Sequence, residues 1–206
     1  VIKRIAKKDQ RITSINFLKN YGQHNANMCG FRHSKGDFII TMDDDLQNPP
    51  KEIPKLIKKI NEGYDLVIGK FETKKHSLFR RLGSKIIGIL NRKIFDVREN
   101  LVLSNFRIAR KSTINLVCND KSFDPYVPGL LLKYSSKRSN VEVRHDGRKI
   151  GKSNYTLGKI SSLTFNLLIN HSSIPLRFGL MIGLIFSSIS FLASLYFLIY
   201  SVFKDL

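Results

Sequence analysis

The hydrophobic pattern along the chain changes period repeatedly, and each change marks an element. Asp37-Phe38-Ile39-Ile40-Thr41-Met42 is a short apolar run rich in β-branched residues, entered from Gly36. A run of this length bounded by a turn signal predicts a buried strand of a parallel sheet. Pro49-Pro50 forbids further pairing, and Ile53, Leu56, Ile57 and Ile60 then recur at helical spacing over Glu52–Ile60. Leu66-Val67-Ile68-Gly69, after the Gly63-Tyr64-Asp65 turn, predicts a second core strand. Upstream, Ile2, Ile5 and Ala6 suit the end of an amphipathic helix, Ile12–Phe17 a strand and Asn25–His33 a short helix. Downstream, helices are predicted over Leu82–Ile94, from Ser112 and from Tyr126, with a strand at Val141–Val143. Strands alternating with helices make this an α/β chain with a mostly parallel sheet.

The last quarter follows a different rule. Leu157, Ile160, Leu163, Leu167 and Leu168 share one helical stripe, with Lys159, Ser161, Ser162 and Asn166 elsewhere. That pattern suits a helix lying in a membrane interface, the alternative being a core helix of the preceding domain. From Phe178 to Phe203 there is no charged residue, which exceeds the roughly 20 residues a membrane span requires. Gly179, Gly183, Ser187, Ser188 and Ser190 offer small surfaces through which such helices could pair into a homo-oligomer. Every Lys and Arg except Lys204 precedes the span, which predicts that the amino-terminal part faces the cytoplasm. The expected organisation is a cytoplasmic domain over residues 1–154, an interfacial helix over 155–172 and a transmembrane helix over 174–203.

Composition narrows the partners. A formal net charge of +19 on 206 residues calls for an anionic surface, whether nucleic acid, lipid or phosphorylated substrate. Aromatic residues do not interleave with the Lys/Arg runs and no reading motif appears, so nucleic acid is not the expected partner. A non-catalytic, membrane-tethered basic protein that binds nucleic acid or anionic lipid is the rival reading. Cys29 and Cys118 have no disulfide or zinc pattern around them and suit packing in a reducing compartment.

The chemistry gathers after the first strand, where Asp43-Asp44-Asp45 stands at its carboxyl end, the ligand-binding end of open α/β sheets. Alternation sends Asp43 and Asp45 to one side and Asp44 to the other. Two hard oxygen ligands on one side suit a divalent cation that also holds a substrate's phosphates, whereas the plainer reading is turn and cap chemistry. A second polar stretch, His145 to Tyr155, holds Arg148, Lys149 and Lys152 with Ser153, Asn154 and Tyr155 over a glycine-punctuated loop. That mixture suits a phosphate.

Asp43-Asp44-Asp45-Leu46-Gln47-Asn48-Pro49-Pro50 resembles the DxD segment of family 2 glycosyltransferases of the polyprenyl-phosphate sugar transferase type. Asn20-Tyr21-Gly22-Gln23-His24-Asn25-Ala26, Ser104-Asn105-Phe106-Arg107 and the Arg148, Gly151, Ser153, Tyr155 pattern resemble the same family. The resemblance implies a GT-A-like (Rossmann-like) fold and inverting, Mg²⁺- or Mn²⁺-dependent sugar transfer from a nucleotide-sugar to a polyprenyl phosphate. It places the enzyme on the cytoplasmic face of a membrane, the bacterial inner membrane being the expected one. It implies metal ligation by Asp43 and Asp45, and donor contacts from Asn20, Gly22, Asp43, Asp44 and Gln47. Asp45 and Arg107 would be catalytic, and Arg81, Arg107, Arg148, Ser153 and Tyr155 would hold the acceptor phosphate, with Arg110 a further candidate. Family members with hydroxyl acceptors place an acidic base near Ser104-Asn105, which this chain lacks. The family's earlier nucleotide-binding strand has no counterpart before Val1, so the chain is expected to be truncated and inactive alone.

Overall fold

A computed structural model describes residues 2–71, 89, 94–95, 101–122, 124–146, 169 and 172–204. The chain divides into two units, one comprising Val1–Glu72 with Leu101–Gly147 and the other Thr73–Asn100 with Arg148–Leu206.

In the first unit the order of elements is α1 (Ile2–Ala6), α2 (Gln23–His33), β1 (Phe38–Thr41), a 3₁₀ turn (Pro50–Glu52) and α3 (Ile53–Ile60). There follow β2 (Leu66–Phe71), β3 (Arg107–Arg110), α4 (Lys111–Asn119), α5 (Val127–Tyr134) and β4 (Arg138–Val143). The sheet order is β1-β3-β2-β4. Three strands run the same way, and β3 lies antiparallel between β1 and β2, so the sheet is mixed although its dominant direction is the parallel one expected.

Burial follows from the pattern. Phe106, just before β3, and Ile108 on it point to the face covered by α3, where they meet Leu56, Ile60, Val67 and Val143 in a fully buried cluster. Removing apolar surface of this kind from water stabilises the fold by roughly 25 cal/mol per Å². Arg107 and Ala109 alternate to the opposite face, the side on which α4 packs against β1 and β3. Gly69 is required by close approach: its N–H donates to the Phe106 carbonyl at 2.8 Å, and a Cβ there would stand 2.9 Å from Val143 Cγ2 and 3.1 Å from that same carbonyl oxygen.

Two expectations are corrected. Residues 12–17 form no strand, and Ile12, Ile15, Phe17 and Leu18 are exposed. β-propensity is realised only where a neighbouring strand supplies the ladder, and no described strand pairs with this segment. The helix expected from Asn25 begins at Gln23, because Gly22, at φ 82°, turns the chain directly into it.

In the second unit the described element is α6 (Ile174–Lys204), 31 residues long. Residues Pro175–Ser201 are long and apolar enough to cross a membrane. The helix expected over Leu82–Ile94 and the interfacial helix over 155–172 lie outside the described residues, apart from helical backbone at Ile89, Ile94 and Ile169.

Candidate active site

The carboxyl ends of β1, β2 and β4 and the start of β3 come together at one end of the sheet. The acidic segment leaves β1 there. Its alternation persists beyond the strand: Asp43, Asp45 and Gln47 are half-buried while Met42, Asp44 and Leu46 are exposed. Asp43 and Asp45 are thus partly sheltered, and Asp44 faces solvent.

Asp43 is held from two directions. Its Oδ1 accepts a hydrogen bond from Gln23 Nε2 at 3.1 Å and another from Asn105 Nδ2 at 3.2 Å, and its Oδ2 a longer one from the same Asn105 nitrogen at 3.4 Å. Asp45 Oδ1 accepts from the Gln47 backbone N–H at 3.1 Å, which tightens the turn. Leu46 inside that turn sits at φ 59°, a left-handed conformation that costs a branched side chain energy and recurs at functional sites. The turn is fastened to the segment after β4: Gln47 Nε2 donates to the Asp146 carbonyl at 3.3 Å, and Asp146 N–H donates to the Gln47 carbonyl at 3.0 Å. Glu52 adds a second fastening, accepting from Arg144 N–H at 3.1 Å. The Lys55 ammonium, 2.6 Å away, holds its carboxyl below the usual range.

Arg107 lies beneath this cluster. It pairs with Thr41 across β1 and β3, is 2% exposed, and donates from Nε to Thr41 Oγ1 at 3.2 Å. Thr41 Oγ1 in turn donates to the Asn105 carbonyl at 2.7 Å. Burial lowers the Arg107 guanidinium to about 10, opposed by its interactions with Tyr126 and Asp43, so it remains cationic at neutral pH. Its buried Nη2 has no partner among the described residues, which leaves a donor to be satisfied. Tyr126 is nearly buried and meets the His24 ring edge-on at 5.3 Å.

The other candidates fall into three groups. Asn20 and Gly22 shape the entry to α2, with Asn20 Oδ1 accepting from Gly22 N–H at 2.8 Å. Arg110 is committed to the fold, donating to the Tyr64 carbonyl at 2.8 Å and the Ile60 carbonyl at 3.2 Å at the far end of β3, and is therefore removed from the phosphate candidates. Arg81, Arg148, Ser153 and Tyr155 lie outside the described residues. Ser104, where a general base could have stood, donates to the Gly69 and Phe106 carbonyls and ties its loop to β2. Gln23, Thr41, Asn105 and Asp146 carry no site signal of their own in the sequence. Gln23 and Asn105 do lie inside the two polar motifs that flank the acidic one.

Among the described residues no group of three or more His, Cys, Asp and Glu side chains converges. Two half-buried carboxylates two residues apart nevertheless suit a hard divalent cation whose other ligands come from phosphate oxygens and water.

A family model described as glycosyl transferase family 2 matches residues 1–116. The undecaprenyl-phosphate 4-deoxy-4-formamido-L-arabinose transferase of Shewanella sediminis is 37% identical over 180 residues, covering 86% of this chain and 54% of its own length. The protein of the same description from Salmonella paratyphi B is 35% identical over 185 residues, covering 89% of this chain and 56% of its own. This chain thus spans about half the length of the curated relatives it matches. The solved structure of glucosyl-3-phosphoglycerate synthase from Mycobacterium tuberculosis, in complex with phosphoglyceric acid, superposes with a TM-score of 0.52 at 16% identity, over 75% of this chain and 57% of that one. That likeness supports the GT-A-like α/β fold expected above. With an acidic turn at the carboxyl end of the sheet and a family match over more than half its residues, the chain belongs to glycosyl transferase family 2.

Proposed function

We propose that the protein to which this chain belongs transfers a sugar, with inversion, from a nucleotide-sugar to a polyprenyl phosphate at the cytoplasmic face of a membrane. The observation that supports the reading is a pair of half-buried carboxylates, Asp43 and Asp45, on a turn fastened to the segment after β4. The names of the two relatives, both undecaprenyl-phosphate sugar transferases, supply the acceptor class.

Asp43 and Asp45 would hold Mg²⁺ or Mn²⁺, which when bound would neutralise charge developing on the leaving diphosphate. Asn20 and Gly22 shape the donor side, and Gln47 stands beside the carboxylates with its carboxamide tied to Asp146. An oxygen of the acceptor phosphate forms the new bond to the anomeric carbon. The bond from that carbon to the diphosphate breaks, and the nucleoside diphosphate departs with the electron pair. A phosphate monoester has a second pKa near ~6 and is mostly a dianion at neutral pH, so no proton need be removed. The occupation of Ser104 and Asn105 in hydrogen bonds is consistent with a reaction that needs no base there.

Arg81, Arg148, Ser153 and Tyr155 would grip the acceptor phosphate, and the unpartnered Arg107 Nη2 offers a further donor from below. Residues 155–172 would lie on the membrane, and α6 would cross it.

The deciding experiment is sugar transfer by the full-length protein in liposomes with polyprenyl phosphate, a divalent cation and a panel of nucleotide-sugars. Asp45→Asn should abolish turnover with the fold retained, and Asp44→Asn should reduce it less. Undiminished turnover by Asp45→Asn at saturating Mg²⁺ or Mn²⁺ overturns the assignment.

A further inference from the structure

We infer that Gln23 and Asn105 are positioning residues for Asp43: two neutral amides that fix one carboxylate oxygen and leave the other open to a divalent cation. The inference rests on the reading of Asp43 as a metal ligand and adds what aims it.

An ionised carboxylate has about four lone-pair sites. Two on Oδ1 are taken by Gln23 at 3.1 Å and Asn105 at 3.2 Å, whereas Oδ2 receives only the 3.4 Å contact from the same Asn105 nitrogen. Oδ2 is thus the oxygen available to a ligand. The orientation of both amides is set by their partner, because only the NH₂ end of a carboxamide can donate to a carboxylate.

The two amides come from parts of the fold that are anchored independently of Asp43. Gln23 is the first residue of α2, placed by the Gly22 turn. Asn105 is carried by a loop whose backbone is tied at several points. Thr41 Oγ1 donates to the Asn105 carbonyl at 2.7 Å, Ser104 Oγ to the Gly69 carbonyl at 2.8 Å, and the Asn140 carboxamide pairs with both the N–H and the carbonyl of Val102 at 2.9 Å. A carboxylate bonded by two anchored groups on different elements keeps one rotamer without its ligand. Holding a metal ligand in place is the role that partners of this kind perform in metal sites.

Neutrality matters as much as geometry. A Lys or Arg at either position would compete with the cation by charge, and an Asp or Glu would stand a like charge about 3 Å from Asp43 and raise the pKa of the pair. An amide orients the carboxylate and leaves its charge to the metal. Asn105 is therefore assigned to metal geometry, with no proton to transfer.

The test uses the full-length protein in detergent, with Mn²⁺ alone as the probe and free Mn²⁺ followed by electron paramagnetic resonance. Gln23→Ala and Asn105→Leu, the latter nearly isosteric, should each weaken Mn²⁺ binding by about tenfold. In transfer assays the donor KM should rise and the acceptor KM should stay constant, a split that general loss of structure would not produce. Adding Asn105→Leu to Asp43→Asn should weaken Mn²⁺ no further than Asp43→Asn alone, because the contact is already gone. Should Asn105→Leu misfold, Gln23→Ala carries the test, since Gln23 is exposed on α2. Wild-type Mn²⁺ affinity in both amide variants, with binding lost in Asp43→Asn, overturns the positioning role and leaves the metal assignment standing. Wild-type affinity in Asp43→Asn overturns both.

Discussion

The sheet core and the α6 helix are built from the same side chains and meet opposite fates. Leu56, Ile60, Phe106 and Ile108 are at 0% exposure, in contact with one another. Along α6 the large apolar residues from Leu176 to Tyr200 stand between 39% and 75% exposed. Water penalises exposed apolar surface in both places, and a largely apolar exposed surface of this size marks a site of contact with membrane or protein. The sheet core satisfies its hydrophobic groups internally, whereas the apolar groups of α6 stand exposed. Hydropathy alone therefore does not separate a core from a candidate span. The separation comes from whether the apolar positions have partners of their own.

The largest expected effect breaks the core. Phe106→Ala should destabilise the first unit by about 3–5 kcal/mol, through lost transfer free energy and the cavity left behind. Denaturant unfolding of the full-length protein would show it, with partition into membranes unchanged. Next comes the span: Ile189→Arg should cost about 2.5–3.5 kcal/mol of membrane insertion and leave unfolding of the first unit unaltered. Flotation with liposomes measures it, and loss of the sheet unit's stability in this variant would show that α6 packs on protein instead. Smaller still, Gly69→Ala should cost about 1–3 kcal/mol, because its new methyl meets the Phe106 carbonyl and Val143. The same Gly→Ala change at Gly183 on α6, where a Cβ meets nothing, should not destabilise.

The smallest effect is a pH dependence confined to the first unit. Burial alone would raise the Asp120 carboxyl, but hydrogen bonds from Ser122, Lys133 and Tyr134 outweigh it and hold the group below its ordinary range. A depressed folded-state pKa contributes stability that is present above the unfolded value, near 4, and is lost as pH falls below it. The melting temperature should therefore drop more steeply between about pH 4 and pH 2 in the wild type than in Asp120→Asn. Parallel curves would remove Asp120 from the account.

Several elements were legible because their signals are local. The apolar run Phe38–Thr41, the Pro49-Pro50 stop and the spacing of Leu56 and Ile60 predict β1, the turn and α3, and the structure has them there. The shelter of Asp43 and Asp45 and the exposure of Asp44 keep a two-residue period, which needs no knowledge of neighbours. Residues 12–17 show the converse: Ile12, Thr13 and Ile15 have the propensity of a strand, but a ladder requires a partner that no local signal can promise.

Local signals place the acidic turn and a helix of spanning length, uncharged from Phe178 to Phe203. Each is set by periods of two or 3.6 residues, or by composition, within a few turns of chain. The direction of β3 against its neighbours, and with it the approach of Asn105 to Asp43, came only with the assembled sheet. That reversal carries Asn105 and Arg107 to the end of β1, 62 residues from Asp43 for the Asn105 contact, and removes Arg110 to the other end. Polar partners at such separations leave no periodic trace, because a hydrogen bond requires only that two groups meet.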